Sequence, residues 1–262
     1  MRWSASMRKP TFSPTKLTTY LTCRIKYHWA YMTPYGRWLR RPNPAFAFGS
    51  NLHRALEFFH SAGGAEKLSP EEFHQALEQL WSHAGFETSE QSEAYKQTGL
   101  QLAQQYYQAQ AEQPSEALVL FTERMLRRDM GRYVLMGRID RVDEHPDGTL
   151  EIIDYKSGRA DVTEEQVRND LALHCYALLV QEHYPDRPLW IAIHALRPNK
   201  KVAVPVDAET LAEFRELLDQ LVAQILDEDW ELLHPKWLPA CPECEFLELC
   251  VRKLGLIPPN PL

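Results

Sequence analysis

The sequence lacks any apolar run close to the roughly 20 residues that cross a bilayer. Its basic N-terminus, MRWSASMRKP, is not followed by the continuous apolar segment of a secretory signal. We therefore expect no membrane partner and a cytoplasmic location. Internal repeats, linkers and low-complexity segments are also missing. A chain of 262 residues with 44% hydrophobic side chains can bury one large core, since single cores stop growing at roughly 250 to 300 residues. We predict a single domain over residues 1–262.

Acidic side chains are absent from the first 56 residues, which contain ten basic ones, although the net charge of the chain is −7. A second basic cluster lies between residues 124 and 141 and includes Arg138 and Arg141. Basic clusters can face the phosphates of a nucleic acid. They can equally be solvated surface that is balanced by acids elsewhere. The charge pattern leaves both interpretations open, with Arg138 and Arg141 as candidate DNA contacts.

Helical periodicity and capping residues dominate the first 112 residues, and short apolar or alternating runs follow Pro114. The predicted helices lie at 13–33, from about 49, from the Ser69 capping box, and at 89–112, 163–184 and 207–229. The predicted strands lie at 117–127, 132–143, 149–156, 189–197 and 201–206. The fold class is therefore α/β, with a helical N-terminal part. Residues 49–112 form its helical segment with an insertion, and 117–206 form the sheet core.

Two carboxylates are predicted on neighbouring strands, in the segments Gly137-Arg-Ile-Asp-Arg-Val-Asp143 and Ile152-Ile-Asp-Tyr-Lys156. Asp140 and Asp154 can converge on one hard cation, which prefers oxygen ligands. Lys156 shares a strand face with Asp154 and could position or deprotonate a water molecule. The alternative is a solvated strand end with a surface salt bridge. The apolar flanks favour a cation, because a buried and unpaired carboxylate is costly.

A histidine on the helix that begins near Gly49 is a further candidate ligand. His53 would present its imidazole from a rigid helix, which suits metal binding. A structural histidine with satisfied hydrogen bonds is the alternative, and the residue pattern alone does not separate the two.

Four of the five cysteines form a ligand-like pattern. Cys241, Cys244 and Cys250 make a C-x2-C-x5-C cluster in the tail, residues 236–252, and Cys23 lies far upstream on the first helix. Together they could bind zinc or a [4Fe-4S] cluster, and the spacing alone favours neither. Such a site would join the tail to the first helix, so its loss should loosen both ends. The fifth, Cys175, reads as a small buried hydrophobe.

The order of these motifs resembles one nuclease family. A cysteine, G-x-x-x-H, G-x-I-D-R-V-D, D-x-K, a helix bearing Tyr176 and C-x2-C-x5-C follow one another between about residues 11 and 252. This order is similar to that of RecB-like nucleases of the PD-(D/E)XK superfamily. Within it, the iron-sulfur branch that includes the AddB nuclease domain and the CRISPR adaptation nucleases matches best.

The resemblance implies a restriction-endonuclease-like core, a central mixed sheet flanked by helices, and a role for each motif. His53, Asp140, Asp154 and the Tyr155 carbonyl would bind Mg²⁺ or Mn²⁺, with Lys156 as the catalytic lysine. The four cysteines would hold a structural [4Fe-4S] cluster, with zinc as the alternative; they are Cys23, Cys241, Cys244 and Cys250.

The same resemblance implies a DNA exonuclease or end-processing enzyme that acts on single-stranded DNA in repair or recombination. It also implies a helicase or recombination protein as a candidate partner. The alternative function is a non-catalytic DNA-binding scaffold subunit of a helicase-nuclease or CRISPR adaptation complex. One departure concerns the DNA-contacting helix. Family members usually have Gln four residues before the tyrosine, whereas this chain has Ala172 before Tyr176, with His174 as a conceivable substitute.

Overall fold

A computed structural model describes residues 9–39, 42–158 and 160–259. The chain divides into two compact units. The first unit comprises Met1–Ser13 and Pro42–Arg215, and the second comprises Pro14–Arg41 and Glu216–Leu262. The single-domain prediction did not include this division. Within the described ranges, every helix is too short or too polar to span a bilayer.

A six-stranded mixed sheet forms the centre of the first unit. Its strands are β1 (Thr11–Phe12), β2 (Leu118–Asp129), β3 (Val134–Glu144), β4 (Leu150–Lys156), β5 (Leu189–Ala195) and β6 (Lys200–Val206). The order is β1-β3-β4-β5-β6, and β2 pairs with β3 outside this path. The pairs β2–β3, β3–β4 and β5–β6 are antiparallel, whereas β1–β3 and β4–β5 are parallel. The predicted mixed sheet and the antiparallel meander are confirmed.

Helices make up most of the remaining chain. They are α1 (Pro14–Thr22), α2 (Arg24–Tyr27), a π-helix (His28–Met32), α3 (Tyr35–Trp38), α4 (Pro44–Ser61), a 3₁₀ turn (Gly64–Glu66), α5 (Pro70–Leu80), α6 (Ser89–Glu112), α7 (Glu164–Arg168), α8 (Leu171–His183), α9 (Ala208–Leu226) and α10 (Leu247–Leu254). The predicted capping box is present at the start of α5, where the Ser69 and Glu72 side chains bond to each other's backbone N–H.

Two predicted helices are interrupted, and the short helices α3 and α10 were not predicted. The helix expected over 13–33 breaks at Cys23, whose sulfur accepts the Lys26 N–H and caps α2. The helix expected over 163–184 breaks before Asp170, whose carboxylate accepts two N–H groups at the start of α8. In both places a side-chain acceptor replaces a helical carbonyl, which sequence periodicity does not register. Helix α10 lies in the cysteine-rich tail, for which no helix was predicted.

The core of the first unit surrounds β4 and β5, which are buried on both faces. Consecutive residues such as Ile152 and Ile153 are therefore both inaccessible, as expected for parallel strands that are covered on both sides. Helices α4, α5 and α6 form an apolar cluster with this sheet, built around Leu52, Phe59 and Tyr106. Each such buried side chain contributes roughly 1.5–3 kcal/mol. This packing holds α4 firmly against the strand ends.

Candidate metal centre and active site

Three ligand atoms from separate elements meet beside the middle of β3, at the point where its pairing with β4 ends. His53 on α4, Glu123 on β2 and Asp140 on β3 have ligand atoms that all lie within 4.8 Å of one another. Nδ1 of His53 is 3.1 Å from the Glu123 carboxylate and 3.3 Å from that of Asp140. Its Nε2 lies 3.1 Å from the Tyr155 carbonyl oxygen. The imidazole therefore lies between two carboxylates, which face Nδ1, and one carbonyl, which faces Nε2.

The end of the β3–β4 ladder explains why Asp140 and Tyr155 are available there. The last paired residues of this ladder are Arg141 and Ile153. Beyond them, the Tyr155 N–H donates to the Asp140 carboxylate at 2.8 Å instead of to a strand carbonyl. The carbonyl group of the same residue, Tyr155, faces the His53 ring. Strand separation thus leaves one carboxylate and one carbonyl facing the two nitrogens of the His53 ring.

A glycine allows α4 to bring His53 to this point. At Gly49, one turn before His53, an added Cβ would lie 3.2 Å from the Ser157 hydroxyl, closer than a normal carbon contact. The Ser157 side chain would have to shift by a few tenths of an ångström to admit a larger residue.

Glu123 was not predicted as a site residue. It lies opposite Asp140, because Thr122 pairs with Arg141 and Arg124 pairs with Ile139. Its φ of 46° is in the left-handed region, which is unusual for a non-glycine residue inside a strand. The signal that could have found it is an isolated acid in the basic strand β2, level with Asp140 across the predicted hairpin.

Positive charge converges on these oxygens. Burial opposes protonation of His53, but hydrogen bonds to Asp140 and Glu123 outweigh it and raise the pKa of the imidazole to about 10. Both ring nitrogens then donate to oxygens. The Arg138 guanidinium adds a contact to Glu123 at 2.6 Å. The donor set of carboxylates, carbonyl and imidazole fits a hard divalent cation, which would take the place of a proton on His53.

Asp154 and Lys156 form an ion contact beside this group. The Lys156 ammonium lies 2.5 Å from Oδ2 of Asp154, yet that oxygen has no hydrogen bond of good geometry. The Lys156 ammonium and the Asp154 carboxylate are therefore paired by charge, without a directed hydrogen bond. Burial, opposed by Lys156 and reinforced by Asp140, raises the pKa of Asp154 to about 6. A buried oxygen lacking a directed partner, close to Asp140, is a further feature that suits a cation.

The lysine carries its proton at neutral pH. Burial opposes this, but the Asp154 carboxylate dominates and raises the pKa of Lys156 above its ordinary value. Among the predicted ligands, the structure brings the His53 ring into contact with Asp140 and the Tyr155 carbonyl. Asp154 lies next to them. It is not part of the compact group of ligand atoms formed by His53, Glu123 and Asp140.

Arg138 and Arg141, the two candidate DNA contacts, differ in exposure. Arg138 is exposed at the site, where it pairs with Glu123. Arg141 is only 5% exposed; it binds both oxygens of Asp143 and donates to His60 at 2.8 Å. Contrary to the expectation of a DNA contact, the Arg141 donors are used inside the protein.

Tyr176 lies near the carboxylates, on α8. Its ring packs against Gly137, where an added Cβ would lie 2.8 Å from a ring carbon. Burial and then the charges of Asp154 and Asp140 raise the pKa of its hydroxyl. Ala172, one turn earlier, is partly exposed. His174 is buried and its Nδ1 lies 2.9 Å from the Asp170 carbonyl of its own helix, so it does not take the place of the missing glutamine.

The site opens into a cleft of about 570 Å³. This is within the range of small-ligand pockets, roughly 300–1,000 Å³. Its lining comprises Ala45, Phe46, Gly49, Ser50, His53, Arg54, Glu123, Arg138, Asp140, Tyr155, Lys156, Ser157 and Gly158. Of the basic N-terminal residues, Arg2, Arg8, Arg40 and Arg41 lie outside the described residues.

The four cysteines of the predicted cluster all lie in the second unit. Together they line one cavity of about 520 Å³ and belong to one apolar cluster. Nearby N–H groups are aimed at their sulfurs. The Lys26 N–H donates to Cys23 at 3.4 Å and the Leu238 N–H to Cys241 at 3.2 Å.

The other two sulfurs also face N–H groups. Burial raises the pKa of Cys244, and a hydrogen bond from the Phe246 backbone opposes the rise. Burial raises the pKa of Cys250 to about 11, opposed by the neighbouring Trp29 side chain. The Trp29 indole N–H is buried and has no hydrogen bond of good geometry, so it is available to a thiolate. Four sulfurs with an N–H beside each fit a metal-thiolate centre.

No curated protein matches the chain. A crystal structure from Eubacterium rectale, described as "Putative exonuclease", matches with 12% identity and a TM-score of 0.54, covering 100% of this chain and 96% of that one. The crystal structure of SSO0001 matches with 15% identity and a TM-score of 0.41, covering 95% and 89%. Residues 11–251 match the PD-(D/E)XK nuclease superfamily. Since this match spans most of the sequence, the chain belongs to the PD-(D/E)XK nuclease superfamily.

Proposed function

We propose that this nuclease is a metal-dependent DNA exonuclease or end-processing enzyme that acts on single-stranded DNA in repair or recombination. The observation that carries the proposal is the meeting of His53, Glu123 and Asp140 beside the Asp154–Lys156 pair in an open cleft. Mg²⁺ or Mn²⁺ would be held by His53, Asp140, Asp154 and the Tyr155 carbonyl. Glu123 would add a further anionic ligand or orient the imidazole.

The residues divide the work of phosphodiester hydrolysis. Bound at these ligands, a hard cation supplies Lewis-acid activation of the phosphate and of the attacking water. Lys156 enters the reaction as an ammonium, because its pKa is raised. In that state it offsets negative charge that builds up on the phosphate oxygens, and it can donate a proton but cannot accept one. Asp154 holds the ammonium in place through their close contact.

Cleavage of an end-labelled oligonucleotide tests the proposal. With Mg²⁺ or Mn²⁺ we expect the wild-type protein to degrade single-stranded DNA, and Asp154→Ala and Lys156→Ala to lower the rate at least 100-fold. Lys200→Ala is the matched control, since Lys200 is an exposed lysine paired with Asp161. Wild-type activity in Lys156→Ala would refute the assignment.

The design of the substrates separates the finer claims. Labels on opposite termini give the polarity of degradation, and a circular single strand shows whether a free end is required. Binding of DNA without cleavage under either metal would instead support the scaffold function, which has no need of the Asp140, Asp154 and Lys156 side chains. A helicase or recombination partner stays a prediction.

We infer that Cys23, Cys241, Cys244 and Cys250 hold a [4Fe-4S] cluster, as in the RecB/AddB-like iron-sulfur branch. The supporting observations are the common cavity and the N–H group beside each sulfur. Zinc bound by the same four sulfurs is the alternative.

Colour and composition of the purified protein test this inference. We expect a brown protein that absorbs at roughly 400 nm, as iron-sulfur centres do. It should contain iron and acid-labile sulfide. Cys250→Ser should remove the absorption, whereas Cys175→Ser should keep it, because Cys175 lies in the first unit, away from the cluster residues in sequence. A colourless protein with one bound zinc would overturn the inference.

A further inference from the structure

An exposed aromatic side chain stands at the edge of the active-site cleft. Phe46 is 75% exposed and is one of the residues that line the cleft. It lies in the first turn of α4, where its backbone N–H donates to the Asn43 side chain at 3.0 Å. The cap holds the backbone, so the ring is presented from a fixed position. A phenylalanine that is largely in water loses the stabilisation it would gain on burial.

The ring belongs to a line of cleft residues along one face of α4. Phe46, Ser50 and Arg54 are spaced by four residues each, and His53 adjoins Arg54. All four line the cleft. At 1.5 Å per residue, Phe46 and Arg54 are separated by about 12 Å along the helix axis. An extended ligand lying on this face would meet the ring at one end and the metal ligand His53 near the other.

The charges along this path suit a phosphate chain. Among the described residues, Arg54 bonds only to neutral groups, the Ser50 carbonyl at 3.4 Å and the Asn51 side-chain oxygen. Its guanidinium therefore keeps its charge for a ligand. A flat apolar ring followed by an unpaired guanidinium and a metal centre matches a nucleobase followed by phosphates. Base stacking on aromatic rings combined with basic backbone contacts is the usual way to bind single strands.

We propose that Phe46 is the stacking platform for an unpaired base of the strand whose scissile phosphate lies at His53, and that it makes the cleft selective for single-stranded DNA. The proposal rests on the nuclease function above and adds a residue that sets its substrate class. In a duplex the bases are already stacked and paired, so they cannot cover the ring. Arg54 would hold a phosphate of the same strand.

Binding of labelled oligonucleotides in EDTA tests the proposal without cleavage. We expect Phe46→Ala to weaken binding of a single strand roughly 5- to 150-fold. Phe46→Trp should keep binding within about twofold, and Phe46→Leu should bind as weakly as the alanine variant, because leucine lacks a flat ring. Blunt duplex binding should be unchanged in all three. Phe58→Ala is the control, since Phe58 is an exposed residue of α4 that is not among the cleft residues.

Three results would overturn the proposal. These are single-strand binding by Phe46→Ala within about twofold of wild type, wild-type binding by Phe46→Leu, and an equal loss of duplex binding. Loss of the fold is not expected, because alanine favours a helix more than phenylalanine, and circular dichroism checks it. Failure of the wild-type protein to cut DNA would count against the nuclease function alone. The two ideas therefore fail on different measurements.

Discussion

Single side chains at the metal centre carry opposing charges at very short range. Glu123, Asp140 and Asp154 supply three carboxylates, while His53 and Lys156 supply protonated groups among them. Such a group is stable only if every charge has a partner, because an unpaired buried charge is costly. Each of these residues should therefore affect cation affinity as well as the rate of hydrolysis.

Glu123→Gln should weaken metal binding without unfolding the protein. The substitution removes one negative charge and keeps the shape, and the number of charged ligands tunes the affinity of a site for hard cations. We expect the Mg²⁺ concentration for half-maximal activity to rise about tenfold, since one lost interaction of about 1.4 kcal/mol gives that factor. A Mg²⁺ titration of the cleavage rate measures it. Glu57→Gln, on α4, is the control, and an unchanged titration curve for Glu123→Gln would contradict a ligand role.

His60 should make the stability of the protein depend on pH. Burial and the nearby Arg141 charge lower the pKa of His60 from 6.5 to about 2. The unfolded chain therefore binds a proton below pH 6.5 that the folded protein does not. This contribution is fully present above pH 6.5 and is lost as the pH falls towards the folded value, by up to about 1.4 kcal/mol per pH unit.

Urea unfolding between pH 7 and pH 5 measures this dependence. The free energy of unfolding should fall with pH, and His60→Gln should make the fall less steep. His74→Gln, at an exposed histidine, should leave the slope as in the wild type. The same slope in His60→Gln would show that other groups cause the acid sensitivity.

Pairs of elements decide how the site is shaped. Strand β3 and helix α8 approach closely because Gly137 faces the ring of Tyr176. Strand β3 also carries Asp140. This contact therefore links the candidate metal centre to Tyr176, the tyrosine of the family pattern. Position 137 therefore requires a small residue because of side-chain packing, and not because of its backbone conformation.

Gly137→Ala should displace Tyr176 and destabilise the first unit by about 1–3 kcal/mol, as overpacking does. The added Cβ would lie 2.8 Å from the Tyr176 ring. This ring is rigid, so it cannot bend away from the new carbon. Removing the ring should relieve the strain. The double variant Gly137→Ala with Tyr176→Ala should therefore be less destabilised than the sum of the single variants, in a thermal or urea unfolding cycle. Simple additivity would show that the two residues do not interact.

The whole chain contains two compact units with different sources of stability. The first unit has a sheet buried on both faces and a large apolar cluster. The second has a smaller core, built around Ile25, Trp29 and Phe246 together with the four cysteines. Small cores usually need a metal or a disulfide to remain folded. The proposed cluster would meet that need in the second unit.

Loss of the cluster should loosen the second unit first. In Cys250→Ser, amide hydrogen exchange over residues 14–39 and 216–259 should speed up at least tenfold, because metal binding contributes directly to folding free energy. Exchange in β4 and β5 serves as an internal reference, and Cys175→Ser is the matched variant. Equal protection in Cys250→Ser and the wild-type protein would mean that the cysteines do not stabilise this unit.

Local patterns in the sequence were sufficient for the elements and for part of the site. The Ser69 capping box predicts the start of α5, and runs of apolar residues predict β4 and β5. These signals involve neighbours within a few residues, so no long-range contact is needed to interpret them. The D-x-K spacing and the cysteine spacing are also visible in the sequence itself, which is why they could be matched to a family.

Other features depend on which distant residues meet. Glu123 joins the site only because the β2–β3 register sets it opposite Asp140, and Arg141 is buried only because His60 and Asp143 bind it inside the protein. Phe46 borders the cleft because α4 packs against the end of β4 at Gly49. The amino-acid order establishes chemical types and short-range periodicity. Burial, charge pairing and the meeting of positions 53, 123, 140 and 155 arise from strand register and helix packing, which act between residues far apart in the chain.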